Sequence, residues 1–269
     1  MPLAVCATPI GNLRDITLRV LDELVEAELV LCEDTRRTRI LLDRHGRSAR
    51  LLSYHEHNEA ARTAEVLPRL EAGARVALVS DAGLPGINDP GARLIAAALE
   101  RGVPVTVLPG PSAVETALVA SGFASERYWF LGYLPRGEAA IAALWDELRR
   151  WQSPAVAFES PRRLPRTLAS LARALPERPV AVCRELTKQF EEVVRGSPSE
   201  VGARFSEPPK GEITLVLGPS GGAEASVDEE QALAALDELV SAGLARRQAA
   251  DLVARLTGTS RNTLYRRSL

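Results

Sequence analysis

Cysteine, lysine and aromatic residues are scarce in this chain, and long apolar runs are missing. Three cysteines in 269 residues cannot build a disulfide framework. No stretch of the sequence approaches the ~18 apolar residues of a membrane-spanning helix. The opening segment MPLAVCATPIGN lacks the basic region and apolar core of a signal peptide, so a cytoplasmic location is expected. An excess of one charge is also missing: 33 basic side chains stand against 35 acidic ones, and this balance announces no polyanionic partner. What is present is apolar surface. At 46% hydrophobic and 25% charged, the chain has the composition of a globular protein and not of a disordered one. Its length suits two compact domains.

The basic set is itself skewed. Only Lys188 and Lys210 are lysines, and the remaining 31 basic residues are arginines. A GC-rich genome explains this without function, although guanidinium forks also suit phosphate. Charge is unevenly spread at the C-terminal end: residues 225–240 carry a net −5 and residues 241–269 a net +5.

The first half alternates short apolar runs with helical patterns. Strands are predicted at Leu3–Ala7, Leu29–Cys32, Val76–Val79 and Val103–Leu108, with a weaker one at Arg50–Ser53. Helices are predicted over Leu13–Val25, Asn58–Leu70 and Asp89–Arg101, the last capped by Asp89 with Pro90 in its first turn. Continuous rather than alternating apolar strands suit a parallel sheet covered on both faces. Five of the twelve aromatics, Phe123, Tyr128, Trp129, Phe130 and Tyr133, lie within eleven residues, as at a domain junction filled by large side chains. A second unit follows, with strands at Ala155–Phe158, Val180–Cys183, Glu191–Arg195 and Glu212–Leu217 and helices over Glu138–Arg150 and Pro161–Leu175. The pair Val180–Arg184 and Phe190–Arg195 reads as a hairpin. Cys6, Cys32 and Cys183 fall in or at the ends of strands, as buried inert thiols.

Chemistry is expected where these strands end. Ser80-Asp-Ala-Gly-Leu-Pro-Gly-Ile-Asn-Asp-Pro-Gly91 cannot continue as strand or helix, and a glycine-rich loop at the carboxyl edge of a parallel sheet is a ligand position. Leu108-Pro-Gly-Pro-Ser-Ala113 repeats the device, so that loops of neighbouring strands bracket one small molecule. The turn Ala7–Asn12 is a further candidate. Neither GxGxxG nor GxxxxGK[ST] occurs. Cys32-Glu-Asp-Thr-Arg-Arg-Thr38 reads either as an ion-paired helix start or as a substrate-facing edge. His55-Glu56-His57 has no third metal ligand, which favours a structural or phosphate-contacting role. Arg184 and Arg195 flank the hairpin, where they either pair with its charges or grip phosphate.

After a linker-like Pro219–Ser226, the tail reads as helix, helix, glycine turn and basic helix. The helices are predicted at Gln231–Val240, Leu244–Leu256 and Arg261–Arg267, with the turn at 257–260, which is helix-turn-helix order.

Taken together, ATPIGNLRDIT, CEDTRRTRILL, SYHEHNE, VSDAGLPGINDPG, LPGPSAVETAL, FLGYLPR, FESPRRL, CRELTKQFEEVVRG and GEITLVLG resemble the tetrapyrrole-methylase class of S-adenosylmethionine (AdoMet) methyltransferases. Within that class they are similar to the family that methylates the 2′-oxygen of a cytidine in the decoding region of 16S rRNA. The resemblance runs in family order from Leu3 to Leu217, and residues 226–269 resemble the helix-turn-helix extension of many members. It implies an α/β fold: two domains of the class III AdoMet methyltransferase type, at 1–120 and 121–220, with AdoMet in the cleft between them and a helical extension at 226–269. It also implies a homodimer acting on 16S rRNA or the assembled small ribosomal subunit, without metal or membrane. Carried over by position, the cofactor residues are Pro9, Gly83, Leu84, Ile87, Ser112, Ala113, Ser160, Leu186 and Thr214. RNA contacts are expected from Arg36, Arg37, Arg39, Arg136, Arg162 and Arg163, and from Arg261, Arg266 and Arg267 of the tail. A ribose hydroxyl is a poor acid, so a nearby carboxylate is expected to take its proton. Glu185, Glu159, Asp81 and Asp34 are the candidates, and spacing does not choose among them. A precorrin-type C-methyltransferase or a non-catalytic RNA-binding protein are the alternative readings; the arginine clusters and basic tail speak against the first and the intact glycine loops against the second.

Overall fold

The computed structural model describes residues 2–220, 229–257 and 260–267. Five strands, β1 (Leu3–Cys6), β2 (Leu29–Cys32), β3 (Leu51–Ser53), β4 (Val76–Val79) and β5 (Val105–Leu108), form a parallel sheet in the order β3-β2-β4-β1-β5. Their unbroken apolar sequence is explained by helices on both faces. Leu21 and Leu24 of α1 (Leu18–Glu26) and Leu41 and Leu42 of α2 (Thr35–Arg44) cover one face. Val66 and Leu70 of α3 (Glu59–Glu71) and Leu94 and Ala98 of α4 (Ala92–Glu100) cover the other.

Two helix starts differ from the sequence reading. The pattern over Leu13–Val25 divides into a 3-10 turn at Leu13–Asp15 and α1, because the Thr17 hydroxyl accepts the Val20 N–H and fixes a new N-terminus. The Asp89-Pro90 pair does not cap α4. That helix starts at Ala92 after Gly91, whose φ of 138° swings the chain in, and the Asp89 carboxylate is left for other use.

The second sheet has the order β6-β7-β10-β8-β9. It contains β6 (Trp129–Tyr133), β7 (Ala155–Glu159), β8 (Val180–Arg184), β9 (Glu192–Gly196) and β10 (Ile213–Leu217). The β8–β9 hairpin is present in register from Val180↔Gly196 to Arg184↔Glu192. The aromatic segment expected as a junction is itself the edge strand β6, while Phe123, Tyr128 and Phe130 pack into a seam cluster. There α5 (Ala113–Ser121), leaving the first sheet, lays Val114, Ala117 and Leu118 on Val156, Ala181, Cys183 and Val216 of the second. The opposite face is closed by α6 (Glu138–Arg150), α7 (Leu164–Ala174) and α8 (Pro198–Arg204) through Trp145, Leu168 and Val201.

Both hairpin arginines are spent on structure. Arg195 donates from Nε to Ser121 O at 2.8 Å and from Nη2 to Ala120 O, satisfying carbonyls at the end of α5. Arg184 pairs with Glu192 at 3.0 Å and donates to Lys210 O. All three cysteines are buried, and burial pushes the Cys6 and Cys183 thiols up to about 12.

The tail forms α9 (Glu229–Ser241), α10 (Arg246–Thr257) and α11 (Arg261–Arg267) around Ala232, Leu236, Ala249, Ala250, Val253 and Leu264. Leu256, at the end of α10, is 76% exposed, while Ala249, Ala250 and Val253 face the core. Most of the linker-like segment, and residues 258–259 of the glycine turn, lie outside the described residues.

Candidate functional site

The two signalled loops do not end neighbouring strands. β4 and β5 flank β1, so Ser80–Gly91 and Pro109–Ser112 stand on either side of the turn that follows β1. That turn is stitched to the longer loop: Thr8 N donates to Gly83 O at 2.8 Å and Gly83 N to Thr8 O at 3.1 Å. The Thr8 hydroxyl adds a bond to Ser80 O at 3.0 Å. Gly83 makes this bridge with φ +84°, a conformation that L side chains rarely adopt. Across the seam, Asn12 N donates to Thr187 Oγ1 at 3.0 Å, which ties the β1 turn to the hairpin.

Between the sheets these loops enclose a cavity of about 510 Å³. Gly83, Leu84, Ile87, Ser112, Ala113 and Ser160 line it, and Pro9 lines an adjoining space of about 250 Å³. Leu186 and Thr214 line neither. Leu186 is buried in the seam, and Thr214 stands between Phe158 and Cys183 in the sheet, so both support the wall from behind.

The candidate bases separate clearly. Glu159 is buried, and its carboxylate already accepts from Ser160 N, Arg163 Nε and Thr167 Oγ1 at 2.6, 2.8 and 2.6 Å. Both of its oxygens are engaged, which makes it an anchor for α7 rather than a base. Glu185 accepts from Lys188 Nζ and Glu212 N at 2.8 and 2.9 Å and does not line the cavity. Lys188 is the main cause holding its carboxyl below the usual range. Asp34 caps α2, and Arg36 holds its carboxyl down to about 2. Of the expected carboxylates Asp81 and Glu159 line the cavity; Glu159 is held by its own partners, while Asp81 accepts from Asp34 N at 3.0 Å and pairs with Arg37 at 3.3 Å.

Three carboxylates that were not among the expected bases join them there: Glu33, Asp89 and Glu212 also line the cavity. Burial, and then repulsion from Asp81, raises Glu33, while burial raises Asp81. Asp89 is pushed up to about 6, first by burial and then by repulsion from Glu33. The CEDT segment, open between a helix start and a substrate-facing edge, contains Glu33 and lies on the cavity, whereas Asp89 in NDPG reads as a helix cap.

The arginines also divide. Arg37 is on the rim, 62% exposed, and Arg36, Arg39, Arg136 and Arg162 are exposed. Arg163 turns inward, donating to Pro135 O and Leu134 O at 3.0 and 2.8 Å besides Glu159, so its fork is unavailable to RNA. In the tail Arg266 is exposed and Arg261 pairs with Asp251 at 2.5 Å; the side chain of Arg267 lies outside the described residues. His55 contacts Asn58 Nδ2 through Nε2 at 3.1 Å, in the turn that opens α3. Among the described residues, no group of three or more His, Cys, Asp or Glu could hold a metal, and no helix is long and apolar enough to cross a membrane.

Comparison with known proteins gives the family. The family described as Tetrapyrrole (Corrin/Porphyrin) Methylases matches residues 2–202, and the RsmI C-terminal HTH domain matches residues 226–269. The ribosomal RNA small subunit methyltransferase I of Mesorhizobium japonicum is 42% identical over 270 residues, covering 99% of this chain and 91% of the relative. The protein of the same name from Micromonospora olivasterospora is 45% identical over 262 residues, covering 96% and 83%. Among solved structures, uroporphyrin-III C-methyltransferase from Thermus thermophilus superposes with a TM-score of 0.55 at 21% identity, covering 80% of this chain and 93% of that one. With two sheets, a cleft floored by the Gly83 loop and a helical tail that matches the extension, the chain belongs to the ribosomal RNA small subunit methyltransferase I family of the tetrapyrrole methylases.

Proposed function

We propose that this chain transfers a methyl group from AdoMet to the 2′-oxygen of a cytidine in the decoding region of 16S rRNA. The single observation that carries the reading is the cavity itself, where Glu33, Asp81 and Asp89, each raised first by burial and then by neighbouring negative charge, share one space with apolar Ile10, Leu84 and Ile87. A ligand with an apolar body and positive charge relieves that repulsion, and AdoMet, with its ammonium and sulfonium groups, is such a ligand. AdoMet supplies an electrophilic methyl group. Gly83, Leu84, Ile87, Ser112, Ala113 and Ser160 are the residues assigned to hold it, with Pro9 at the adjoining edge.

Asp89 is assigned the proton of the ribose hydroxyl. Its raised carboxyl is matched to proton transfer near neutral pH, whereas Asp34 is too weak a base and Glu159 is saturated. Exposed Arg36, Arg37, Arg39, Arg136 and Arg162 are assigned to RNA phosphates. The two α/β units are taken as residues 1–120 and 121–220. The same reading makes the protein a cytoplasmic homodimer that acts on 16S rRNA or on the assembled subunit.

Tritiated AdoMet, offered with bare 16S rRNA, small subunits or a precorrin, tests the activity. Label is expected in 2′-O-methylcytidine. Label in the tetrapyrrole instead, or cofactor binding without any transfer, overturns the reading.

The tail, taken as 226–269, is assigned to RNA affinity rather than chemistry. Its three helices carry their own core, and exposed Arg266 is on the last of them. Removing residues 226–269 is expected to leave AdoMet affinity unchanged and to weaken small-subunit binding. Each lost phosphate contact should flatten the plot of log affinity against log salt by about 0.7–0.9. Filter binding across a salt series measures this; an unchanged slope with an altered oligomeric state makes the tail architectural.

A further inference from the structure

The outer wall of the cavity is aromatic, and the reaction assigned above does not yet use it. β6 pairs with β7 at Trp129↔Ala155 and Phe130↔Val156. The register then slips, so that Tyr133 stands opposite Phe158, where an unbroken ladder would put it opposite Glu159. One extra residue on an edge strand is a bulge, a device that re-aims a side chain beside a site. Gly132 absorbs it with φ +64°, and a Cβ there would come within 3.0 Å of Asn88 Oδ1 in the glycine-rich loop. The bulge therefore also brings the two halves of the cleft into contact.

The outcome is a ring presented to the cavity. Tyr133 lines the space and is 63% exposed, so its ring is open to a partner. Its centroid is 5.5 Å from Phe158, and Phe158 lies 5.3 Å from Phe130 in a T-shaped contact. Phe130 and Phe158 are packed in the seam, so Tyr133 is the outer ring of a braced row. Burial, then Glu212, then Asp89 raise the phenol, which stays uncharged at neutral pH and within electrostatic reach of the assigned base. Exposed Arg136 follows three residues later, and exposed Arg37 also lines the cavity.

A cavity of about 510 Å³ has no room for a base-paired duplex, so a nucleotide must leave its stack to present a ribose there. An unstacked base needs a flat partner, and aromatic side chains supply it in RNA recognition. We propose that Tyr133 is the platform on which the base of the acceptor nucleotide stacks while its ribose faces Asp89. The proposal rests on the rRNA reading above. It commits to the RNA base and not to the adenine of the cofactor, because an exposed rim position meets the macromolecular substrate.

Tyr133→Phe and Tyr133→Leu test it. Truncating a stacking platform costs roughly 5- to 150-fold in affinity. Tyr133→Leu is therefore expected to raise KM for the RNA substrate about tenfold, with AdoMet affinity by calorimetry and the melting temperature close to wild type. Tyr133→Phe keeps the π-face and should restore wild-type KM. A fluorescent cytosine analogue, placed where the wild-type enzyme methylates, should be quenched by wild type and Tyr133→Phe but not by Tyr133→Leu. An unchanged KM and quench in Tyr133→Leu, or a loss that falls on AdoMet affinity, overturns the platform. Failure of the wild-type enzyme to methylate rRNA overturns the underlying reading instead.

Discussion

Replacing Asp89 with Asn is expected to cut the single-turnover methylation rate by about 100-fold or more, while AdoMet affinity changes by only a few fold. A positioned general base contributes roughly 10²–10⁴-fold, and Asn cannot accept the proton. The pH profile carries the same information. Asp89 titrates at about 6, so the wild-type rate should rise tenfold per pH unit below that value and level off above it. The variant should lose this inflection. Stability moves the other way. The carboxyl is raised in the folded state, so between its unfolded value near 4 and about 6 the native protein binds more protons than the unfolded chain. This group therefore makes wild-type stability fall as pH rises through that window, and Asp89→Asn should lose that contribution and be at least as stable at pH 7. Thermal melts at pH 5 and pH 7 measure the second effect and quench-flow the first. A variant with full rate and an unaltered profile would move the role to Asp81, the raised carboxyl of the expected set that lines the cavity.

Much of this site was legible because glycine and proline leave the chain few options. Ser80–Gly91 and Pro109–Ser112 had to be loops, and loops at the carboxyl edge of a parallel sheet are where ligands sit. The order of strands was not legible, since the alternation of apolar runs and helices contains no information on which strands are neighbours. Hence the sequence predicts that the two loops adjoin, whereas β1 lies between them. Asp89 was masked by its own neighbour: Asp-Pro is a helix-start signal, and the chain defers the helix to Ala92 through Gly91. Glu159 and Glu185 looked equivalent to Asp81 in the sequence because saturation of a carboxylate is a tertiary property. Arg163 and Thr167 take its acceptors from the opening turns of α7, an engagement that exists only once that helix sits on β7. The aromatic segment showed as a seam, but the slip that turns Tyr133 away from it follows from pairing with β7.

Placing Leu at position 83 is expected to abolish AdoMet binding and leave a folded protein. Two effects act together. The residue holds φ +84°, which costs a side-chain-bearing L residue about 1–2 kcal/mol. That penalty lowers the melting temperature by several degrees in a chain of this size without unfolding it. A Cβ itself has space, with its nearest neighbours Pro111 O and Ile10 Cγ2 at 3.8 and 3.9 Å. The branched end of Leu has none to spare, because position 83 lines the cavity between two loops whose backbones are fixed by Thr8 and Ser80. It occupies the volume assigned to the cofactor. Ala separates the effects: it carries the backbone strain without the bulk, so Gly83→Ala should melt like Gly83→Leu and still bind AdoMet. Ser112→Leu, on the facing loop, should repeat the loss of binding without the positive-φ penalty, since Ser112 has φ −141°. Calorimetric titration of the three variants decides the placement. Wild-type affinity in both leucine variants would move the cofactor out of this cavity, whereas equal losses in Gly83→Ala and Gly83→Leu would mean that the loop's conformation, and not the space above it, holds the ligand.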